Sequence, residues 1–390
     1  MPDISHANAV GHSMQPAERL DLLARLLRFD NDVHDIGGLR VELLNDMSSL
    51  EAVMQAAARR QLLPAAIDQL RVKGILPPRQ SRRAAKDSLL AQLTDLDAQF
   101  KIRRSALGGA LHDIVGCLNK ADIQPIVLKG SMSLISGEPE WRFQRDIDFA
   151  VDPSEAGRTV TALRAEGFRE CDDMDRRPHH LKPMQRNDVP GIIEPHVKLA
   201  GTRARAVLPD DVLMGTVGHH AWKGLSYRAM SKAGFLLHGL AHHHFQNRGY
   251  IYGTVSLKGL LEFAHCISGM QETDVLELDA LSGGHPRLKA GLLLWCALAK
   301  RLLGVTLPQG LITSNIVENH AETVSIRYLR GQTVSPFAGV REHIVLTLLH
   351  APKTSLASSV VPSILDGCHI AVWWSHETQR RNASGILTND

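Results

Sequence analysis

The chain has 390 residues, 44% of them hydrophobic, and a formal net charge of +3. Such a length can bury a full core and holds one domain with helical flanks or a second domain, while so small a charge excludes a dedicated, strongly basic nucleic-acid binder. Five cysteines, at 117, 171, 266, 296 and 368, form no pair close enough for a zinc knuckle or a redox motif, which implies a reducing, cytoplasmic setting. The opening MPDISHANAVGHSM has neither the basic region nor the apolar core of a secretory signal. The longest apolar run, Ala290 to Ala299, is short of a membrane span, so no membrane partner is expected.

Along the chain, LDLLARLL, LEAVMQAAA and LLAQLTDLDAQF repeat apolar residues at spacings of three and four, which predicts amphipathic helices between about Pro16 and Leu118. Within that region a basic run, Arg79, Arg82, Arg83 and Lys86, follows Pro77-Pro78; it reads as a solvated loop and helix start, or as a hold for a phosphorylated acceptor. Gln124 to Leu128 is a short apolar run and predicts a buried strand, from which Lys129-Gly130-Ser131 turns into a helical SMSLIS segment. Arg145 to Val151 predicts a second strand, whose period of two sends Asp146 and Asp148 to one face and Ile147 and Phe149 to the other. Asp152-Pro153 then opens a helix toward Gly167.

Residues 180–186 and 191–199 predict a hairpin across Asn187-Asp188-Val189-Pro190, with Glu194 and His196 sharing a face of its second arm. Strands are expected only between about 124 and 200, with helices dominating from Pro209 onward, as in GLLLWCALAKRLLG. The expected division is a helical region over 1–118, a core over 119–208, a helical domain over 209–375 and a mobile polar tail over 376–390.

The chemistry follows from the carboxylates. Two like charges a few ångströms apart raise each other's pKa or demand a counter-ion, and all-oxygen ligands suit Mg²⁺ or Mn²⁺. Glu194 can complete a three-carboxylate metal site with Asp146 and Asp148. Gly130, lacking a Cβ, lets backbone N–H groups approach a phosphate, and Ser131 stands where a helix N-terminus favours an anion. Lys129 and Arg145 can neutralise triphosphate charge or pair with nearby acids, although strand alternation places Arg145 opposite Asp146. His196 is expected to face substrate, or to order its strand. His238 and His242, four apart on a predicted helix, can bind zinc from one face, contact phosphate, or simply pack; the intervening Glu of a zinc protease is missing.

Leu128-Lys129-Gly130-Ser131, then Arg145-Asp146-Ile147-Asp148, then Glu194-Pro195-His196, together resemble the nucleotidyltransferase superfamily that includes DNA polymerase beta, and within it the uncharacterised nucleotidyltransferases of family 5. Val53 to Pro78 is similar to that family's leading helical segment and Phe235 to His244 to its later histidine-bearing helix, so the resemblance runs from about residue 50 to about residue 310. It implies an α+β fold, with a mixed-sheet nucleotidyltransferase core flanked by N- and C-terminal α-helical regions. It also implies an NTP as substrate, Mg²⁺ or Mn²⁺ as cofactor, and an acceptor of unknown identity: a small molecule, sugar phosphate or peptide in preference to nucleic acid. The residues implied for the site are Asp146, Asp148 and Glu194 as catalytic metal ligands, with Gly130, Ser131, Lys129 and Arg145 on the nucleotide. Two departures stand out. Fourteen residues separate Ser131 from Asp146, which predicts an extended GEPEWRF loop, and SLKGLLEF puts Lys258 and Glu262 where relatives often carry an aspartate. The alternatives are a non-catalytic nucleotide-binding or interaction protein on the same fold and a zinc-dependent hydrolase built on the histidines.

Overall fold

The computed structural model describes residues 14–30, 33–76, 89–171, 179–311 and 313–330, with 332 and 342; the basic run at 79–86 and the tail at 376–390 lie outside them. Four short helices come first among the described residues: α1 (Pro16–Leu26), α2 (Val33–Asn45), α3 (Met47–Arg59) and α4 (Leu63–Val72). Proline starts α1 and α4, where its missing N–H costs nothing. Asp46 caps α3 by accepting from the Ser48 amide at 2.9 Å. The long helix α5 (Leu89–Lys120) follows.

A seven-stranded mixed sheet comes next, built from β1 (Ile126–Val127), β2 (Asp146–Ala150), β3 (Arg169–Glu170), β4 (Met184–Gln185), β5 (Ile192–His196), β6 (Val217–Trp222) and β7 (Leu225–Met230), in the order β3-β4-β5-β2-β1-β7-β6. Its connections carry α6 (Ser131–Ser136), a 3₁₀ turn at Pro153–Glu155 running into α7 (Ala156–Ala165), α8 (Thr202–Arg205) and α9 (Asp210–Met214). The predicted hairpin is present, β4 pairing antiparallel with β5. β5 lies parallel to β2, and β2 antiparallel to β1.

Strands do not stop near residue 200. β6 and β7 form a hairpin at 217–230, and β7 joins the sheet parallel to β1. Its two-residue loop, Lys223-Gly224, has positive φ at both positions, 48° and 81°, as the primed turns that suit strand twist require. Periodicity missed this hairpin because β6 is an edge strand whose His219, His220 and Ala221 are exposed, so no apolar alternation marks it.

Among the described residues the helices α10 (Lys232–Leu240), α11 (Gly249–Tyr252), α12 (Leu257–Ser268), α13 (Glu272–Gly283), α14 (Pro286–Leu303) and α15 (Asn315–Leu329) follow, with a π-helical turn, Ala241–Gln246, directly after α10. One apolar cluster packs Leu107, Leu111, Ile114 and Leu118 of α5 against Ile147, Phe149 and Ile193. The other joins the N-terminal helices to α10, α12 and α14 around the buried Trp295, and takes in Ile126, Leu128 and Ala150. The sheet therefore turns Ile147 and Phe149 toward α5, leaving the aspartates of β2 for the opposite face.

Gly191 fixes how closely β5 approaches β2. A Cβ there would lie 2.8 Å from the Arg145 carbonyl oxygen and 2.8 Å from Leu107 Cδ2. The first is backbone and the second is a methyl locked in the core, Leu107 being fully buried, so Gly191→Ala is expected to cost about 1–3 kcal/mol, as overpacking does. Chemical denaturation would measure the loss; an unchanged midpoint would mean that the strands separate freely.

Candidate active site

The parallel register of β2 and β5 sets Asp146 beside Ile192, Asp148 beside Glu194 and Ala150 beside His196. Residues facing each other across a ladder point the same way, so both aspartates, Glu194 and His196 share one face. Asp148 is 2% exposed. Its Oδ1 accepts from Lys129 Nζ at 2.7 Å and lies 3.0 Å from His196 Nε2. Asp148, Glu194 and His196 bring one ligand atom each within 4.8 Å of one another.

The turn before α6 builds this arrangement from behind. Lys129 adopts φ +42°, which turns the chain sharply enough for its ammonium to return to β2. Ser131 is fully buried; its hydroxyl accepts from the Asp148 amide at 2.8 Å and its own amide donates to the Leu128 carbonyl at 3.0 Å. The serine therefore braces β2, with its hydroxyl already engaged. Gln144 Nε2 donates to the Asp146 carbonyl at 2.9 Å. At Gly130 a Cβ would stand 1.6 Å from Arg142 Nη1, so the missing side chain admits a guanidinium.

The two aspartates experience opposite fields. Burial raises the pKa of Asp146, and the charge on Asp148 adds to the rise. Burial would raise Asp148 too, but the Lys129 ammonium and His196 outweigh it and hold that carboxyl well below its ordinary range. Asp148 is thus ionised and already counterbalanced by a cation. Burial, reinforced by the neighbouring His196, His179 and Lys129, pushes His180 down to about 2; His196 is lowered by burial despite its bond to Asp148.

A cavity of about 390 Å³ opens over this face. Lys129, Arg145, Asp146, Asp148 and Glu194 line it, whereas Gly130, Ser131 and His196 are not among its lining residues. Arg145 reaches the same cavity as Asp146 because pairing in β2 begins at Asp146, which frees the preceding residue from strand alternation. The opposite wall comes from α10, the π-helical turn and α12, and includes His242, His243, Lys258 and Glu262. Arg142, from the loop between α6 and β2, crosses to Glu262 at 2.9 Å. Although burial disfavours the Glu262 charge, Arg142 and Lys258 keep its pKa lowered. Lys258 Nζ donates to Gln61 Oε1 at 3.0 Å, bringing the N-terminal helical region to the rim.

Arg142, Gln61 and the cavity-facing His243 were not singled out by motif. The sequence signals were the length of the GEPEWRF loop, the Lys258/Glu262 departure and the family-like segments Val53 to Pro78 and Phe235 to His244, which contain Gln61 and His243. His238 Nε2 bonds to the Leu199 carbonyl at 2.8 Å, and among the described residues neither His238 nor His242 belongs to a group of three converging metal ligands. The zinc reading of that pair therefore gains no geometric support.

No curated protein matches the chain. A solved structure, that of the antibiotic-resistance factor ANT(2'')-Ia in solution, aligns at 10% identity with a TM-score of 0.32, over 46% of this chain and 90% of that one; so distant a likeness carries no functional argument. The profile of the uncharacterised nucleotidyltransferases matches residues 46–304, more than half of the chain. That span contains the three carboxylates, the Lys129 turn and the helices α10 and α12 that wall the cavity, and the chain belongs to this nucleotidyltransferase family.

Proposed function

We propose that the protein transfers a nucleoside monophosphate from an NTP to an acceptor hydroxyl or phosphate, releasing pyrophosphate, with Mg²⁺ or Mn²⁺ held by Asp146, Asp148 and Glu194. The observation that carries this reading is that the three carboxylates share one sheet face and line one cavity, with Lys258 on its opposite wall; Asp148 and Glu194 converge within 4.8 Å, and Asp146 flanks them two residues along β2. The donor set fits a hard divalent ion, and the Lys129 ammonium on Asp148 marks the spot as one that favours positive charge. Ions bound there would neutralise charge on the α-phosphoryl group and on the leaving pyrophosphate.

The acceptor oxygen attacks the α-phosphorus, the bond from that phosphorus to the α,β-bridging oxygen breaks, and the acceptor proton passes to the Glu194 carboxylate. Lys129, now paired with Asp148, lines the cavity and would be free to turn to the phosphates once a divalent ion held by Asp148 takes over its counter-charge. Arg145 and Lys258 face the triphosphate, and Gly130 keeps Arg142 close to it. Ser131 and His196 hold Asp148 in line. A cavity of about 390 Å³ matches a small-molecule site, which favours a small metabolite, sugar phosphate or peptide end as acceptor over nucleic acid. Among the described residues no helix is long and apolar enough to cross a membrane.

The test is pyrophosphate release from each of the four NTPs with Mg²⁺ or Mn²⁺, in wild type and Asp146→Asn, with cell extract as acceptor source. Release by wild type alone supports the transfer; tight nucleotide binding without release in either protein would make this a non-catalytic nucleotide-binding protein. Lys258→Met is expected to raise the NTP KM by roughly tenfold or more, since a charged hydrogen bond contributes about 1.5–3 kcal/mol. Steady-state kinetics check it, and an unchanged KM would remove Lys258 from the nucleotide side.

A further inference from the structure

We infer that His179, His180 and His196 form a second cation site, which takes a borderline transition-metal ion such as Zn²⁺ in preference to Mg²⁺. The site lies beside the carboxylates and is separate from the histidines at 238–244. It rests on imidazole geometry and does not depend on the transfer reaction.

The backbone sets the three rings. His180 bridges His196 in antiparallel fashion at the edge of β5. The Val197 amide donates to the His179 carbonyl at 3.0 Å and the Leu181 amide to the Pro195 carbonyl at 2.8 Å, which clamps residues 179–181 to that strand. The His180 and His196 rings lie 3.8 Å apart between centroids, those of His179 and His180 4.1 Å, and those of His179 and His196 5.8 Å. One nitrogen from each falls within 4.8 Å of the others. Ligation at about 2.1 Å in a tetrahedral shell needs nitrogens roughly 3.4 Å apart, so binding an ion requires the packed rings to turn until their nitrogens, in place of their faces, converge.

Three further observations favour a metal here. His180 and His196 are 2% and 1% exposed, so two of the ligands stand in a desolvated spot, while the half-buried His179 opens the third side to water. Each buried ring has a carboxylate near it: Asp148 Oδ1 lies 3.0 Å from His196 Nε2, and Glu194 Oε2 lies 3.5 Å from His180 Nδ1. Carboxylates of that kind orient ligating histidines and raise their basicity. The Nδ1 of His196 is buried and makes no hydrogen bond of ordinary geometry, with the Lys198 backbone as its neighbour. Imidazole nitrogens suit Zn²⁺, Ni²⁺, Cu²⁺ and Fe, whereas Mg²⁺ prefers the oxygens next door.

The experiment is a Co²⁺ titration of the full chain in excess Mg²⁺ and without nucleotide, following the visible absorption of imidazole-bound cobalt, with Zn²⁺ as competitor. One equivalent of Co²⁺ should bind despite the Mg²⁺ and be displaced by Zn²⁺. His179→Ala, at a half-buried position where truncation spares the packing, should weaken binding by at least the roughly tenfold that losing even an outer partner of a metal site costs. Asp146→Asn should leave the titration unchanged, since Asp146 is outside the histidine group. Absence of Co²⁺ binding in Mg²⁺, or binding that Asp146→Asn weakens and His179→Ala spares, overturns the inference. Circular dichroism confirms that each variant is folded. Failure of the transfer reading would show separately, as absent pyrophosphate release with the cobalt signal intact.

Discussion

Asp148→Asn is expected to lower nucleotidyl transfer by roughly 10²–10³-fold or more, the scale of losing one preorganised electrostatic group at a reacting centre, while the protein still folds. Asparagine keeps the shape of the side chain, and the bond from the residue-148 amide to Ser131 involves only backbone on the β2 side. What disappears is the charge. Oδ1 of Asp148 currently accepts from Lys129 and contacts His196, and it faces Glu194 across the ladder. The substitution leaves one carboxylate fewer for a divalent ion and an ammonium without its counter-charge. Lys129 is 21% exposed and lines the cavity, so it can turn toward solvent; the fold is spared the larger penalty of a buried unpaired charge. Pyrophosphate release and a thermal melt measured on the same preparation separate the two effects. Turnover within tenfold of wild type, in a folded variant, would sink the proposed mechanism.

The second large effect is acid sensitivity. Burial pushes His238 down to about 4 and His244 down to about 3, from an ordinary 6.5. Both rings are buried, at 2% and 4% exposure. Because the folded pKa lies below the unfolded one, the unfolded chain takes up protons first. Their contribution is therefore complete above pH 6.5 and is lost as the pH falls from 6.5 toward 4 and 3 respectively. Each group costs up to about 1.4 kcal/mol per pH unit in that window, so the pair removes up to about 3 kcal/mol by pH 5.5. That is a large share of the roughly 5–15 kcal/mol that holds an ordinary domain together. Asp146, whose pKa is raised by burial and by Asp148, works in the opposite direction at lower pH. Denaturant midpoints at pH 7.5, 6.5 and 5.5 should be level over the first interval and fall over the second. A flat profile to pH 5.5 would mean that these imidazoles accept protons in the native state.

Much of the site was legible because its signals are local. A strand period of two put Asp146 and Asp148 on one face and Glu194 and His196 on another strand's single face, and the turn-rich Asn187 to Pro190 stretch announced the β4–β5 hairpin. Asp152, followed by proline, read correctly as a helix start, because a cap acts within a few residues of itself. The helices around LDLLARLL and GLLLWCALAKRLLG followed from apolar spacing in the same way.

Contacts between distant segments were not legible. That β2 lies parallel to β5 in a register that sets Asp148 against Glu194 depends on how two strands some fifty residues apart pair. That Ser131 spends its hydroxyl on the Asp148 amide depends on the φ of Lys129. Arg142 reaching Glu262, Lys258 reaching Gln61, and His179 and His180 converging on His196 each join separate parts of the chain. The sequence by itself determined the strand faces, the caps, the helical periodicity and the set of carboxylates. Only the tertiary structure decided which of those groups meet, which cations answer them, and that a polar edge hairpin at 217–230 closes the sheet. The reason is range: periodicity and capping are written in neighbouring side chains, whereas register and ion pairing are settled by the packing of whole elements.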